Sequence, residues 1–420
     1  MRNFIYIFGV LIGSLSAYAE AQTVVPLSYS HFLQRGNEGN REYAAEKLNM
    51  NAARADAVAA KVFDDPELSV SYSNNQDNTI QMGQSVEFGL TQTVTLGRRR
   101  AGIRLAKSQS ELSEILLEDY YRNLRADATI AYLEALKRQQ LFEVKKKAYQ
   151  NMADLAKSDS MRFVLGKIME VEVTQSHLEA GMMYNEVLQA ETELNNACAS
   201  LSLLMGRAYN DTLYRPDDNL RHPERDFALA DLMEQAVDNR SDLLAARKNS
   251  EVASRELTLV RRERRPDVDV SLNVSLNNRV RNEEAPAPPY TGVTAGVVFP
   301  LNFSALNKGA LRAAKYRAQQ AELQSEHVRM QVENEVMQAY WLYQSHARQV
   351  AHYEKGLLEH AETVLKGKIY SYNRGEVSLL EILNAQRTYN DVQAQYIQTL
   401  FDYNTALVEL ERSVGIWDIN

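Results

Sequence analysis

Four stretches of the chain alternate strictly between apolar and polar side chains. Val268, Val270, Leu272, Val274 and Leu276 take every second position, with Asp269, Ser271, Asn273 and Ser275 between them. Val293, Ala295, Val297, Phe299 and Leu301 repeat the pattern, and Leu68, Val70 and Tyr72 match Val86, Phe88 and Leu90. A period of two gathers the apolar side chains on one face of an extended segment and the polar ones on the other. The stretches between, Asn74 to Gly83 and Asn277 to Pro289, are polar, and the second contains three prolines. The pattern predicts two β-hairpins, with strands over about 67–76 and 84–96, then 267–278 and 290–302. Alternating segments of roughly ten residues joined by polar turns are the signature of outer-membrane strands. A soluble sandwich with one wet face alternates in the same way.

The rest of the chain reads as helix, and the helices weigh against the sandwich. From Arg99 to Phe163 there is no proline and a single glycine, Gly102. A helix of that length would extend about 100 Å at 1.5 Å per residue, far beyond ordinary globular helices. Helices are predicted over about 99–163 and 167–205, and again over 305–372 and 376–414. In the last of these, Ile382, Tyr389, Tyr396, Tyr403 and Leu410 are spaced by seven. Ala385, Val392, Thr399, Ala406 and Ser413 form a second, mostly small row with the same spacing. A strict seven-residue repeat implies coiled-coil packing of close neighbours.

The two halves of the chain repeat one another. Gly166 and Gly375 lie 209 positions apart, as do Gly206 and Gly415. The helix starts at Ile103 and Leu311 lie 208 apart, Pro66 and Pro266 lie 200 apart, and Asn40-Arg41-Glu42 is echoed by Asn239-Arg240-Ser241. The organisation expected is a leader over 1–21, a first repeat over 22–206, an inter-repeat equatorial segment over 207–238, a second repeat over 239–415 and a tail over 416–420. The leader is inferred from Arg2, the apolar run Phe4 to Leu15, and Ala19-Glu20-Ala21 before Gln22.

Duplication yields four strands, and four cannot close a barrel. An unpaired edge in hydrocarbon costs several kcal/mol per unmet backbone group. Two chains would give eight strands, the size at which side chains fill the interior. Three chains would give twelve strands and a lumen. A homotrimer is therefore expected, with a β-barrel in lipid continued by an α-helical tube.

Composition removes other possibilities. Formal charge is −8, with 47 basic and 55 acidic residues, which does not indicate a nucleic-acid partner. The single cysteine, Cys198, sits in a helical pattern and reads as a core residue. No nucleophile with a positioned base, no phosphate loop and no metal-ligand cluster is legible, so neither an enzyme nor a cofactor is expected. His346, His352 and His360 are spaced by six and eight and do not share the i, i+4 geometry of a helical ligand pair. Two basic clusters, Arg98-Arg99-Arg100 and Arg261, Arg262, Arg264 and Arg265, border the hairpins. They suit contact with lipid headgroups and equally suit solvated helix ends.

Tyr372-Asn373-Arg374-Gly375, followed by Ser378-Leu379-Leu380-Glu381-Ile382-Leu383-Asn384-Ala385-Gln386-Arg387, resembles the periplasmic hairpin tip and descending helix of TolC-like outer-membrane efflux proteins. Arg162-Phe163-Val164-Leu165-Gly166 resembles the other tip. The resemblance implies a trimeric twelve-strand barrel in the outer membrane on a periplasmic helical tunnel, fed by an inner-membrane pump through a periplasmic adaptor. It places adaptor docking at Arg162, Phe163, Gly166, Arg374 and Gly375. It places the acidic ring of the periplasmic aperture at Glu381 and Asn384, where the asparagine weakens any cation filter. It makes Tyr372 and Glu172 the closed-state latch. A second basic latch residue of the family is Val377 here, with Arg374 as the candidate substitute. Pro66-Glu67-Leu68 with Thr93-Val94-Thr95-Leu96-Gly97 and the arginines after it resembles the heavy-metal branch, so metal cations are the expected cargo of a resistance-nodulation-division pump. A duct for drugs or for type I protein secretion, and a structural coiled-coil protein of the envelope, are the competing readings.

Overall fold

The computed structural model describes residues 23–418 except 76–80, 208–211, 224, 302 and 304–307. The expected leader over 1–21 lies outside the described residues. In chain order the elements are β1 (Thr23–Leu27), α1 (Tyr29–Gly39), α2 (Arg41–Ala59), β2 (Glu67–Asn74), β3 (Gln84–Val94), α3 (Arg98–Val164), α4 (Glu170–Leu204), β4 (Thr212–Pro216), α5 (Leu229–Asn239), α6 (Ser241–Glu263), β5 (Val268–Asn277), β6 (Tyr290–Val298), α7 (Gly309–His352), a π-helical turn (Tyr353–Leu357), α8 (Leu358–Asn373) and α9 (Leu379–Val414). They form two compact units. No helix among the described residues is long and apolar enough to cross a membrane.

One unit comprises Ala45–Tyr121 and Met233–Glu335. It holds a four-stranded antiparallel sheet in the order β2-β3-β5-β6. Register turns the sequence alternation into rows across the sheet. Leu68 pairs with Leu90, Leu90 with Leu272, and Leu272 with Ala295. Val70, Phe88, Val274 and Val293 form the next row. This apolar face is open: Leu68 is 71% exposed, Val70 61%, Val293 68% and Leu272 50%. The opposite face carries Ser71, Glu87, Ser275 and Gly292 in one row and Ser69, Gly89, Asn273 and Thr294 in another. A folded sheet that shows its apolar side to the surroundings is the inverse of a soluble sandwich, in which that side is buried. β2 and β6 are the edges, each with one side unpaired within the chain.

The caps of the helices before the sheet refine the repeat. Asn40 precedes α2 and its Oδ1 accepts the Tyr43 N–H at 2.9 Å; the residue in the same position before α6 is Arg240. The two starts are thus 200 apart, matching the two prolines, and the echo expected at Asn239 shifts by one. Arg240 is buried and ion-paired to Asp242 and to Glu335 at 2.7 Å.

The other unit is built from the described parts of Met1–Ala44, Arg122–Leu232 and Val336–Asn420. It adds two strands that alternation does not reveal. β1 and β4 pair in parallel, from Thr23 opposite Thr212 to Leu27 opposite Pro216. Each is five residues long and ends at or near a proline, too short for a legible period. Cys198 lies in a buried cluster with Phe142, Val187, Leu194 and Leu213, and burial pushes its thiol up to about 11. The two seven-spaced rows of α9 are buried in part: Ile382, Tyr403 and Leu410 are buried, as are Ala385, Thr399, Ala406 and Ser413, and Tyr389, Val392 and Tyr396 are half-buried.

The helix expected to run unbroken to residue 372 is interrupted. At Tyr353–Leu357 it widens into the π-helical turn, where Gly356 has φ 130°. A side chain at Gly356 would meet the His360 ring at 3.2 Å. One glycine within a long polar helix gives no sequence signal for this kink.

Candidate functional site at the hairpin tips

The two long helical hairpins reverse with the same hydrogen bonds. Gly166 N donates to Phe163 O at 2.7 Å and Lys167 N to Arg162 O at 2.9 Å. Gly375 N donates to Tyr372 O at 2.8 Å and Glu376 N to Ser371 O at 3.0 Å. This is the helix-ending motif in which a left-handed residue closes two orphan carbonyls. Gly166 and Gly375 supply it, with φ 69° and 79°. Each tip then restarts a helix, after Met169 and after Ser378.

The shared geometry identifies equivalent side chains, each pair 209 apart. Glu172 and Glu381 both lie in the first turn of the descending helices, where a carboxylate is favoured by the unpaired N–H groups and the helix dipole. Asp159 corresponds to Lys368, and Phe163 to Tyr372. The two hairpins use these positions differently.

In the second hairpin, Glu381 accepts from the Lys368 ammonium at 2.7 Å. The Lys368 hydrogen bond, aided by the Ser378 backbone, holds the Glu381 carboxyl below its ordinary range. Glu381 therefore stays ionised, but a cation stands beside it. Asn384 is exposed, and its carbonyl accepts the Thr388 hydroxyl within α9 at 2.9 Å.

In the first hairpin the position equivalent to Lys368 is the fully buried Asp159, and it points at the other hairpin. The Tyr372 hydroxyl donates to Asp159 Oδ1 at 3.0 Å, joining α8 to α3. Arg162 lies over the Tyr372 ring, its guanidinium carbon 4.7 Å from the centroid. It also stands 3.6 Å from Asp159 Oδ1 and donates to the Tyr372 carbonyl at 3.4 Å. Burial raises the pKa of Asp159, against the lowering effects of the Tyr372 and Ser176 hydrogen bonds and of Arg162. Burial, then the Asp159 charge, pushes the Tyr372 phenol well up, so it remains a donor. Around this link Tyr372 packs in a buried cluster with Met152, Ala180, Met183, Leu379, Ile382 and Leu383.

The structure thus gives Tyr372 a different partner from the one expected. Glu172 accepts from the Met169 N–H of its own helix start at 3.1 Å and does not receive the Tyr372 hydroxyl. An acid one turn from the tip and an acid at a helix start are indistinguishable in sequence; only the packing of α3 on α8 selects Asp159. Arg374 does not bridge either. It stands over the Tyr370 ring at 4.9 Å and 3.8 Å from Glu376, both in its own hairpin. The second charged bridge between hairpins is Arg387 to Glu179 at 2.8 Å, from α9 to α4. Sequence reading missed Asp159, Lys368, Glu179 and Arg387. The available signal was the reversal of charge between positions 159 and 368 of an otherwise matching repeat.

The tips differ on the outside as well. Val164 is 83% exposed, and Leu165, Met169 and Val171 are similarly open, whereas Phe163 is partly covered. The second tip is polar, with Asn373, Arg374 and Glu376 around Gly375.

The basic clusters lie beside the base of the four-stranded sheet. Arg98 pairs with Asp267 at 2.9 Å, and Arg99 stands 3.7 Å from the Phe63 ring centroid. Arg99, Arg100 and Arg265 line one groove with Phe63, Gln92 and Leu96. A side chain added at Gly97 would meet the Arg262 side chain at 3.9 Å, and Arg261 and Arg264 complete the end of α6. Among the described residues no three histidine, cysteine or acidic side chains are grouped so as to hold a metal ion.

The chain is similar to several known proteins. Residues 232–416 match the family described as outer membrane efflux protein. The cobalt-zinc-cadmium resistance protein CzcC of Cupriavidus metallidurans is 23% identical over 401 residues, covering 94% of this chain and 91% of that protein. The pyoverdine export outer membrane protein OpmQ of Pseudomonas aeruginosa is 22% identical over 412 residues, covering 92% and 83%. The solved structure of CusC, described in terms of transmembrane channel formation, superposes with a TM-score of 0.76 at 18% identity, covering 92% of each chain.

Proposed function

We propose that the chain is a TolC-like outer membrane efflux protein, a reading supported by the family match over residues 232–416 and by the fold shared with CusC, and that three copies form one exit duct for heavy-metal cations. The observation that carries the trimer is the four-stranded sheet with an exposed apolar face and two unpaired edges. Such a sheet is stable in lipid only when its edges find partners, and three copies supply twelve strands around a lumen. The outer membrane is the address of the family, and its members are transport proteins rather than enzymes.

The finer assignments are part of the same proposal. The tips around Gly166 and Gly375 are the docking points for a periplasmic adaptor, which connects the duct to a resistance-nodulation-division pump. Glu381 lines the aperture, with Asn384 one turn away, and Lys368 offsets part of its charge. Tyr372 and Asp159, steadied by Arg162, form the closed-state latch in place of the expected pair with Glu172. Arg387 and Glu179 take the part expected of Arg374. The arginines at 98–100 and at 261, 262, 264 and 265 meet lipid headgroups, and residues 207–238 join the two repeats.

Metal cargo is supported by the likeness to CzcC along nearly the whole chain. The likeness to OpmQ supports a second reading, an organic cargo. Deletion of the gene, complemented by the intact chain, separates them. Growth inhibition by cobalt, zinc, cadmium or copper salts should increase about tenfold or more in the deletion strain, with organic antibiotics unaffected. Sensitisation to antibiotics alone would replace the metal assignment with the organic one.

A further inference from the structure

The polar face of the four-stranded sheet bears charge of only one sign. Its rows contain Glu67, Glu87 and Asp269 among serines, threonines, asparagines and glycines. No lysine, arginine or histidine occurs in β2, β3, β5 or β6. Yet the chain as a whole is nearly balanced, with 47 basic and 55 acidic residues. The basic side chains stop at the borders: Arg98 to Arg100 and Arg261 to Arg265 at one end, Arg279 and Arg281 in the turn at the other. A polar face needed only for wetting would accept either sign.

The three acids are not equivalent. Glu67 begins its strand opposite Thr91, and Asp269 accepts the Thr93 hydroxyl at 2.7 Å at the same end of β3. Glu87 sits mid-strand. Its row neighbours are Ser71, Ser275 and Gly292, so it is the one long side chain of its row. Among the described residues Glu87 forms no ion pair. The side chain is half-buried beside these small neighbours, and no basic group among the described residues offsets its charge.

We propose that Glu87 is a cation-selecting residue of the barrel lumen, separate in its effect from Glu381. This rests on the trimeric-duct reading, which repeats Glu87 three times at one level. Twelve strands about 4.8 Å apart and tilted by about 40° close at a radius of about 12 Å. Three glutamates reaching inward then lie within a screening length of the axis at about 0.1 M salt, and outside it at about 1 M. A ring of like charges raises the local concentration of the opposite ion and excludes its own sign. The action is a field along the path, with no ligation of the ion, which suits a conduit that must release what enters.

Planar-bilayer recordings of the purified chain under a tenfold KCl gradient test this. Near 0.1 M salt, Glu87→Gln should lower the cation-over-anion permeability ratio about fourfold, and Glu87→Asp should retain the preference. The same fall is expected in a Glu381→Gln background, and it should disappear near 1 M salt. Channels of Glu87→Gln with the unaltered ratio at low salt would overturn the inference and leave the duct standing. Absence of any conductance from the wild-type chain would overturn the duct reading, and this inference with it.

Discussion

At the scale of single residues, the two hairpins are copies that diverged in a few charges. Glu172 and Glu381 keep one position, whereas Asp159 and Lys368 reverse sign at another. Lys368 closes on Glu381 inside its own hairpin, at 2.7 Å. Asp159 instead takes the Tyr372 hydroxyl of the opposite hairpin. Replacing Tyr372 with Phe leaves a buried carboxylate short of a donor, at a cost of about 1–3 kcal/mol to the packed tips. In bilayer recordings the open fraction of Tyr372→Phe should rise about tenfold; an unchanged fraction would remove the latch. The acid also sets a pH dependence. Burial raises the pKa of Asp159 in the packed tip, so that state binds a proton more tightly than one in which the carboxyl meets water. Acid therefore favours the packed state, and the preference is lost as pH rises through the raised pKa. The open fraction should climb with pH above the ordinary carboxylate range, and Asp159→Asn should flatten the curve. A wild-type curve already flat would exclude Asp159 as its source.

At the scale of elements, sequence spacing was informative wherever a period ran long enough. The alternation of Val268 to Leu276 gave a sheet face, and the seven-spaced tyrosines of α9 gave a packing seam. The 209-residue repeat joined two tips that close with matching hydrogen bonds. A side chain added at Gly166 or Gly375 would meet open space, so the cost of Gly→Ala is the left-handed backbone alone, about 1 kcal/mol at either tip. Thermal unfolding of the two variants should show equal, small losses; a loss of several kcal/mol at one tip only would break the equivalence. What stayed hidden depended on contacts between distant segments. The parallel pairing of β1 with β4 joins residues 189 positions apart. The partner of Tyr372 depended on which acid the packing buried. The π-helical turn at Gly356 is braced from outside its own helix, by Tyr396 donating to Glu354 at 3.0 Å and by Tyr353 donating to Gln395 at 3.2 Å. None of these leaves a periodic trace.

At the scale of the whole molecule, closure of a shared barrel depends on two edges. β2 and β6 are the outer strands of the sheet, separated by β3 and β5. Three strand spacings amount to about 14 Å, twice the Cα separation a disulfide tolerates. Cysteines placed one on β2 and one on β6 therefore cannot join within a folded chain, and any bond between them reports a neighbouring copy. The native Cys198 is buried in the core and can be exchanged for serine to leave only the introduced pair. Fixing one cysteine at Ser71 and stepping the other through Gly292, Thr294 and Gly296 samples the register between copies. Oxidation in intact outer membranes, followed by denaturing electrophoresis, should give a covalent product of three chains for at least one pair. Chains that remain single at every register, or that link without limit into higher ladders, would contradict a closed barrel of three.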